Sequence, residues 1–309
     1  MKNDRFARIM LVVAAFGMAW AERLRAEDLS APVAAEEEEC SASIRSAPSF
    51  VWRGASGRGY ETGAPSMWQD GMVRVEVSSG TCAYSLVVDP STSTLSGASG
   101  TLELVLSRDP GGMDLASTSV DPASSPFTGA GSTGDVDEFP IYLSLPAGQS
   151  IEAGEYAGTI PVQLFLVKDG IAVQADEAAI DVYASVGARL AVSAPGFSSG
   201  VADIDLGDIS EGFSRAMQFE IAGNAPVSVS VSSLNRGALK HERAEVYVPY
   251  RASLDGIVMD TSSGMDSTRL DISPSRTETV FLELSADPVY TPVAGVYTDV
   301  LTLAFRSDR

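Results

Sequence analysis

The sequence predicts an all-β protein built as two tandem β-sandwiches, the second of them short of its last strand. Three observations lead there. Branched and aromatic residues alternate with polar ones in short runs between turn formers, helical spacing is almost absent, and a stretch of the first half recurs in the second at a fixed offset.

Residues 1–26 stand outside the fold. Lys2, Arg5 and Arg8 precede an apolar run, Ile9 to Trp20, that is too short to span a bilayer and suited to the apolar part of an export signal. Ala19-Trp20-Ala21 and Leu24-Arg25-Ala26 each offer a cleavage site. Cutting after Ala26 removes five basic and two acidic residues and takes the net charge from -20 to -23. Residues 27–39 follow as an acidic leader ending in Glu36 to Glu39. The chain is expected to pass through the periplasm to the cell surface.

Export makes the two cysteines interpretable, because a lone pair in an oxidising compartment usually forms a bridge. Cys40 and Cys82 are expected to do so. The strand-like runs are then Met72 to Val77, Tyr84 to Val88, Leu102 to Leu106, Ile141 to Leu145, Ile160 to Leu166, Val227 to Val231, Val246 to Tyr250, Val280 to Leu284 and Val300 to Phe305. Turn formers separate them at Ser78-Ser79-Gly80, Lys168-Asp169-Gly170 and Leu254-Asp255-Gly256, and the tract from Arg108 to Glu138 reads as a long polar loop.

The repeat fixes the organisation. Ala153-Gly154-Glu155-Tyr156 with its following alternation matches Ala294-Gly295-Val296-Tyr297 at an offset of 141, and Gly80 to Val88 matches Gly223 to Val231 at 143. The first sandwich is placed at 40–186 and the second at 187–309, with Ala225 standing where the first has Cys82. After Gly154 the first copy runs on through a tight Asp169-Gly170 turn to Val186, whereas after Gly295 only the short stretch from Val296 to Arg309 remains. A final strand is therefore expected to be absent from the second copy, leaving a hydrophobic groove along Tyr297, Leu301, Leu303 and Phe305. Such a groove is open to a strand from another chain, by donor-strand complementation.

Leu145-Pro146-Ala147-Gly148-Gln149, Ala153-Gly154-Glu155-Tyr156, the Cys40 and Cys82 pair, and Gly223-Asn224-Ala225-Pro226 before Val227 to Ser233 together resemble the spore coat protein U family, which includes the Csu-type pilins of archaic chaperone-usher fimbriae. The resemblance spans both halves, and the missing cysteine pair of the second copy departs from it. It implies immunoglobulin-like sandwiches, a periplasmic pilus chaperone that lends a strand, an outer-membrane usher that exchanges it for one from an adjacent pilin subunit, and, for two-domain members, likeness to a tip adhesin. The alternative within the family is a structural coat or pilus-shaft protein. Residues 27–39 make a poor donor strand, with Pro32 and four consecutive acids where large apolar residues should alternate, which favours the tip.

Other chemistries find little support. The chain carries 21 basic and 41 acidic residues and only three lysines, Lys2, Lys168 and Lys240, so nucleic acid is repelled. With His241 as the one histidine, no hydrolase or His-rich zinc site is expected, and neither a cofactor nor a metal is called for. Asp203, Asp205 and Asp208 alternate with Ile204 and Leu206 as on a solvated strand, and His241 is expected in an exposed polar loop. Phe50, Trp52, Tyr60, Met67 and Trp68 form the densest aromatic cluster, among Gly54, Gly57, Gly59 and Gly63. They suit either an adhesive surface for an unidentified surface or carbohydrate ligand, or the core of the first sandwich.

Overall fold

The computed structural model describes residues 39–89, 93–112, 114–115, 121–195, 200–262, 267–270 and 277–308. The expected export signal (1–26) lies outside them, as does all of the acidic leader except Glu39. Among the described residues, eleven strands precede Gly187: β1 (Ser41–Ser46), β2 (Ser49–Trp52), β3 (Gln69–Ser79), β4 (Thr81–Val88), β5 (Thr94–Gly97), β6 (Gly100–Glu103), β7 (Val105–Ser107), β8 (Phe127–Ser132), β9 (Val136–Ser144), β10 (Gly154–Lys168) and β11 (Ile171–Val186). Eleven follow it: β12 (Leu190–Ser193), β13 (Phe213–Gly223), β14 (Val227–Ser233), β15 (Ala238–His241), β16 (Tyr247–Pro249), β17 (Arg251–Leu254), β18 (Ile257–Met259), β19 (Ser267–Leu270), β20 (Thr277–Ala286), β21 (Tyr297–Thr298) and β22 (Leu301–Ser307).

The strands up to β11 enclose one hydrophobic core. One sheet runs β1-β3-β9-β7 and the other β2-β11-β10-β4-β8, with the β5–β6 hairpin attached to β10. Alternation decides what is sealed between them: Val73, Val75 and Val77 of β3 share the core with Leu86, Val162, Leu164, Ile180 and Val182, and all are almost inaccessible to solvent. The disulfide is present between Cys40, just before β1, and Cys82 in β4, with Cα atoms 5.2 Å apart, so it staples one sheet to the other.

Strands β12 to β22 surround a second core. Its sheets run β12-β13-β20-β17-β18 and β19-β14-β22, with β16-β15-β21 as a small third. The sequence repeat is reproduced in the hydrogen-bond register. Tyr84–Leu166, Leu86–Leu164 and Val88–Val162 pair β4 with β10, and their counterparts Val227–Ser307, Val229–Phe305 and Val231–Leu303 pair β14 with β22. The attached hairpins correspond too, since Gly97 pairs with Tyr156 as His241 does with Tyr297. Both tyrosines donate their hydroxyl to the carbonyl four residues back, Glu152 and Val293, at 2.9 Å each.

Where the first core has its disulfide, the second has Asn224. Its carboxamide oxygen accepts the Arg189 N–H at 2.7 Å and its nitrogen donates to Gly187 O at 3.0 Å, so it ties the approach of β12 to the start of β14. Its backbone carbonyl also accepts the N–H of Ala153, at the entrance to β10.

Two local expectations give way, one of a loop and one of a strand. The tract Arg108 to Glu138 contains β8 and the start of β9. Gly129 of β8 lies flat against the Tyr84 ring, where a Cβ would come within 2.5 Å, so small residues are required there for packing. The Asp203 to Asp208 segment is not a strand. Asp205 and Asp208 accept the backbone N–H groups of Gly207 and Ser210, a local bonding that competes with a sheet ladder.

Candidate functional site: an open flank along β22

In the first core β10 is paired on both edges, by β4 on one side and by β11 along its whole length on the other. In the second core β22 is paired with β14, and among the described residues no strand occupies its other edge. The strand order β11-β10-β4-β8 becomes β22-β14-β19, with no counterpart of β11 among the described residues.

Exposure follows from this difference. Tyr156, Ile160, Val162 and Leu164 are sealed beside β11, with Ile180, Val182 and Ala184 buried alongside them. Their counterparts Tyr297, Leu301, Leu303 and Phe305 are half-buried: they pack against the second core from one side and meet solvent on the other. On the neighbouring sheet Met217 and Phe219 of β13 are half-buried too, and the rings of Phe219 and Phe305 lie 5.6 Å apart. A cavity of about 410 Å³ opens at Met217, lined also by Pro195, Ile204, Asp205, Leu282 and Leu284. The structure thus brings the four groove residues named from the sequence onto one flank, along an edge strand whose outer backbone groups pair with no strand among the described residues. Such an edge can take up an extended segment through main-chain bonds, with alternate side chains entering the core.

The aromatic cluster does not form a surface. Phe50, Trp52 and Tyr60 are only 4%, 5% and 3% exposed in the first core, and Trp68 is half-buried. The adhesive reading of these rings is corrected for the first three: β2 alternates, so Phe50 and Trp52 share its inner side while Val51 faces out. Tyr60 has a polar reason for its place. Its hydroxyl donates to Pro146 O and accepts the Gln149 N–H, both at 2.9 Å, and burial raises its pKa. The Pro-Ala-Gly-Gln sequence is therefore a structural turn that grips this phenol, and Gln149 also bonds both backbone groups of Glu103.

The sequence places His241 in the open, but it is only 5% exposed. Its Nδ1 accepts the N–H groups of Arg243 and Ala244, which leaves Nε2 to donate to Ala294 O at 3.1 Å. Gly295 lies against the ring so closely that a Cβ would come within 2.1 Å of Nε2. The second Ala-Gly-x-Tyr motif is the one sequence signal for this site, since its glycine makes room for the imidazole. Asp299, which sequence reasoning missed, accepts from Ser233, the backbone of Asn235 and Tyr250 at distances of 2.5, 2.9 and 2.6 Å, anchoring the chain just before β22.

By sequence, no family model and no curated protein matches this chain. Solved structures give distant similarities. A chain of the CsuC-CsuE chaperone-tip adhesion subunit pre-assembly complex from the archaic chaperone-usher Csu pili of Acinetobacter baumannii is similar at 15% identity, over 86% of this chain and 99% of that one, with a TM-score of 0.36. The CupB6 tip adhesin of Pseudomonas aeruginosa is similar at 10% identity, over 87% and 95%, with a TM-score of 0.41. CfaE, the adhesive subunit of the CFA/I fimbria of enterotoxigenic Escherichia coli, is similar at 11% identity, over 87% of each chain, with a TM-score of 0.34.

Proposed function

We propose that this chain is a non-enzymatic subunit of a chaperone-usher fimbria, assembled by donor-strand complementation and placed at the fibre tip as an adhesin. The observation that carries this reading is the open flank of β22. A core bordered by half-exposed Leu301, Leu303 and Phe305 and an unpaired edge strand is suited to accept another chain's strand. A periplasmic chaperone would fill it first, and an adjacent pilin subunit would replace the chaperone at the outer-membrane usher. The first core is closed by its own β11 and needs no donor, which leaves that half free to meet a surface or carbohydrate ligand.

Two measurements test the proposal. Purification of the full chain from the periplasm should bring down a stoichiometric chaperone, and its recovery from the periplasm with no chaperone bound refutes strand acceptance. Immunogold labelling of assembled fibres should then place one label at one end. Regular label along the fibre overturns the tip assignment in favour of a shaft or coat protein.

A further inference from the structure

The first core contains, already in place, a strand with no counterpart along β22 among the described residues, and the matched registers make it a template. Against β10, Ala184 of β11 lies opposite Tyr156, Val182 opposite Gly158, Ile180 opposite Ile160, Ala178 opposite Val162 and Asp176 opposite Leu164. Carried across by the offset of 141, these five positions face Tyr297, Asp299, Leu301, Leu303 and Phe305. Resting on the strand-acceptor reading above, we infer that the partner strand runs antiparallel to β22 and carries, in order, a small residue opposite Leu303, aliphatic residues opposite Leu301 and Asp299, and a small residue opposite Tyr297.

The walls of the groove give the reasons. Tyr156 and Tyr297 are held alike, each by its hydroxyl bond to the carbonyl four residues back. Beside Tyr156 the template places an alanine that is itself buried, and the tyrosine is sealed with it. A larger side chain at that position would displace the ring and break its hydroxyl bond. The aliphatic positions follow from Ile180 and Val182, which are fully buried in the first core and supply the apolar surface that excludes water. The small position opposite Leu303 follows from Ala178, which lies opposite Val162 in the template. Direction follows from the template itself, since β11 runs antiparallel to β10 along its whole length.

The test uses the full chain and synthetic peptides bearing the sequence of residues 178–186, which is long enough to reach from Leu303 to Gly295. The unmodified peptide should bind and raise the melting temperature. The peptide with Ala184→Leu should bind at least 10-fold more weakly, and so should the peptide with Val182→Ser. Direction is read by disulfide capture on a Leu303→Cys chain. A peptide carrying Ala178→Cys should be trapped, and one carrying Ala184→Cys should not. Equal affinity of the Ala184→Leu peptide, or capture through position 184, overturns the inferred side-chain order or direction while leaving strand acceptance standing. If no peptide binds or stabilises the chain, the acceptor reading itself fails.

Discussion

Replacing Leu303 by alanine should cost little in the free chain and much more once a strand lies along β22. Leu303 is half-buried, whereas its pair partner Val231 on β14 is almost fully sealed, so much of the leucine side chain still meets water. A fully buried leucine loses about 2 to 5 kcal/mol on truncation, and a half-exposed one about half of that. The difference, about 1 to 3 kcal/mol, appears only when the flank is closed, and linkage requires it to appear as weakened strand binding. At about 1.4 kcal/mol per tenfold, affinity for the 178–186 peptide should fall about 5- to 150-fold in Leu303→Ala, measured by titration calorimetry. Leu164→Ala is the control. It removes a sealed side chain from the closed core, so it should cost the full amount, about 2 to 5 kcal/mol, in denaturation while leaving peptide affinity unchanged. Unaltered peptide binding by Leu303→Ala would refute the assignment of this flank as the docking edge.

Three further outcomes follow from the geometry. Replacing both Cys40 and Cys82 by serine should destabilise the first core by about 4 kcal/mol, from closure of the loop between residues 42 apart in sequence, and the fluorescence of Trp52 and Trp68 in that half reads the transition directly. Gly295→Ala should be far more damaging than Gly154→Ala: the two glycines have φ of 152° and 157°, but a Cβ at 295 runs into the His241 ring while none of its surroundings obstructs one at 154, and circular dichroism melts of the two variants make the comparison. Burial, together with the carboxylates of Asp137 and Asp299, raises the pKa values of Tyr84 and Tyr250 above the ordinary 10.0. Their neutral forms therefore stabilise the fold fully below pH 10, and that contribution is lost as pH climbs above 10, where the unfolded chain releases protons first. Alkaline denaturation should show this onset, and Tyr84→Phe or Tyr250→Phe should blunt it.

Much of the architecture was legible because alternation and repetition are local properties of a sequence. Each strand-like run from Met72 to Phe305 falls on a strand, or across the adjacent β6 and β7 at Leu102 to Leu106, and the two repeat offsets reappear as matched residue pairs between β4 and β10 and between β14 and β22. What escaped was set by contacts distant in the chain. β8 reads Phe-Thr-Gly-Ala-Gly-Ser because the Tyr84 ring occupies the space beside Gly129, so a strand takes on the composition of a loop. Phe50, Trp52 and Tyr60 sit in glycine-rich sequence that suggests exposure, yet the parallel pairing of β2 with β11 carries the first two inward and the turn at Pro146 captures the third. His241 is flanked by Lys240 and Glu242, and nothing nearby reveals that Gly295, far along the chain, provides its pocket. Tyr297, Leu301, Leu303 and Phe305 stand out in the sequence only by comparison, since the repeat sets them beside a copy that continues into another strand.

The position of Asn224 bears on how a pull is carried. Asp308, at the end of β22, donates its N–H to Pro226 O at 2.8 Å, close in the chain to the Asn224 carbonyl that holds Ala153. Tension on the edge strand therefore reaches the base of β10 by a short bonded route as well as through the covalent connection at residues 187–189. Load is divided between the two paths, and both meet at Asn224, whose backbone carbonyl holds Ala153 while its carboxamide holds Gly187 and Arg189. A disulfide would carry such a pull covalently; here the second path consists of hydrogen bonds alone, so it can give way and re-form.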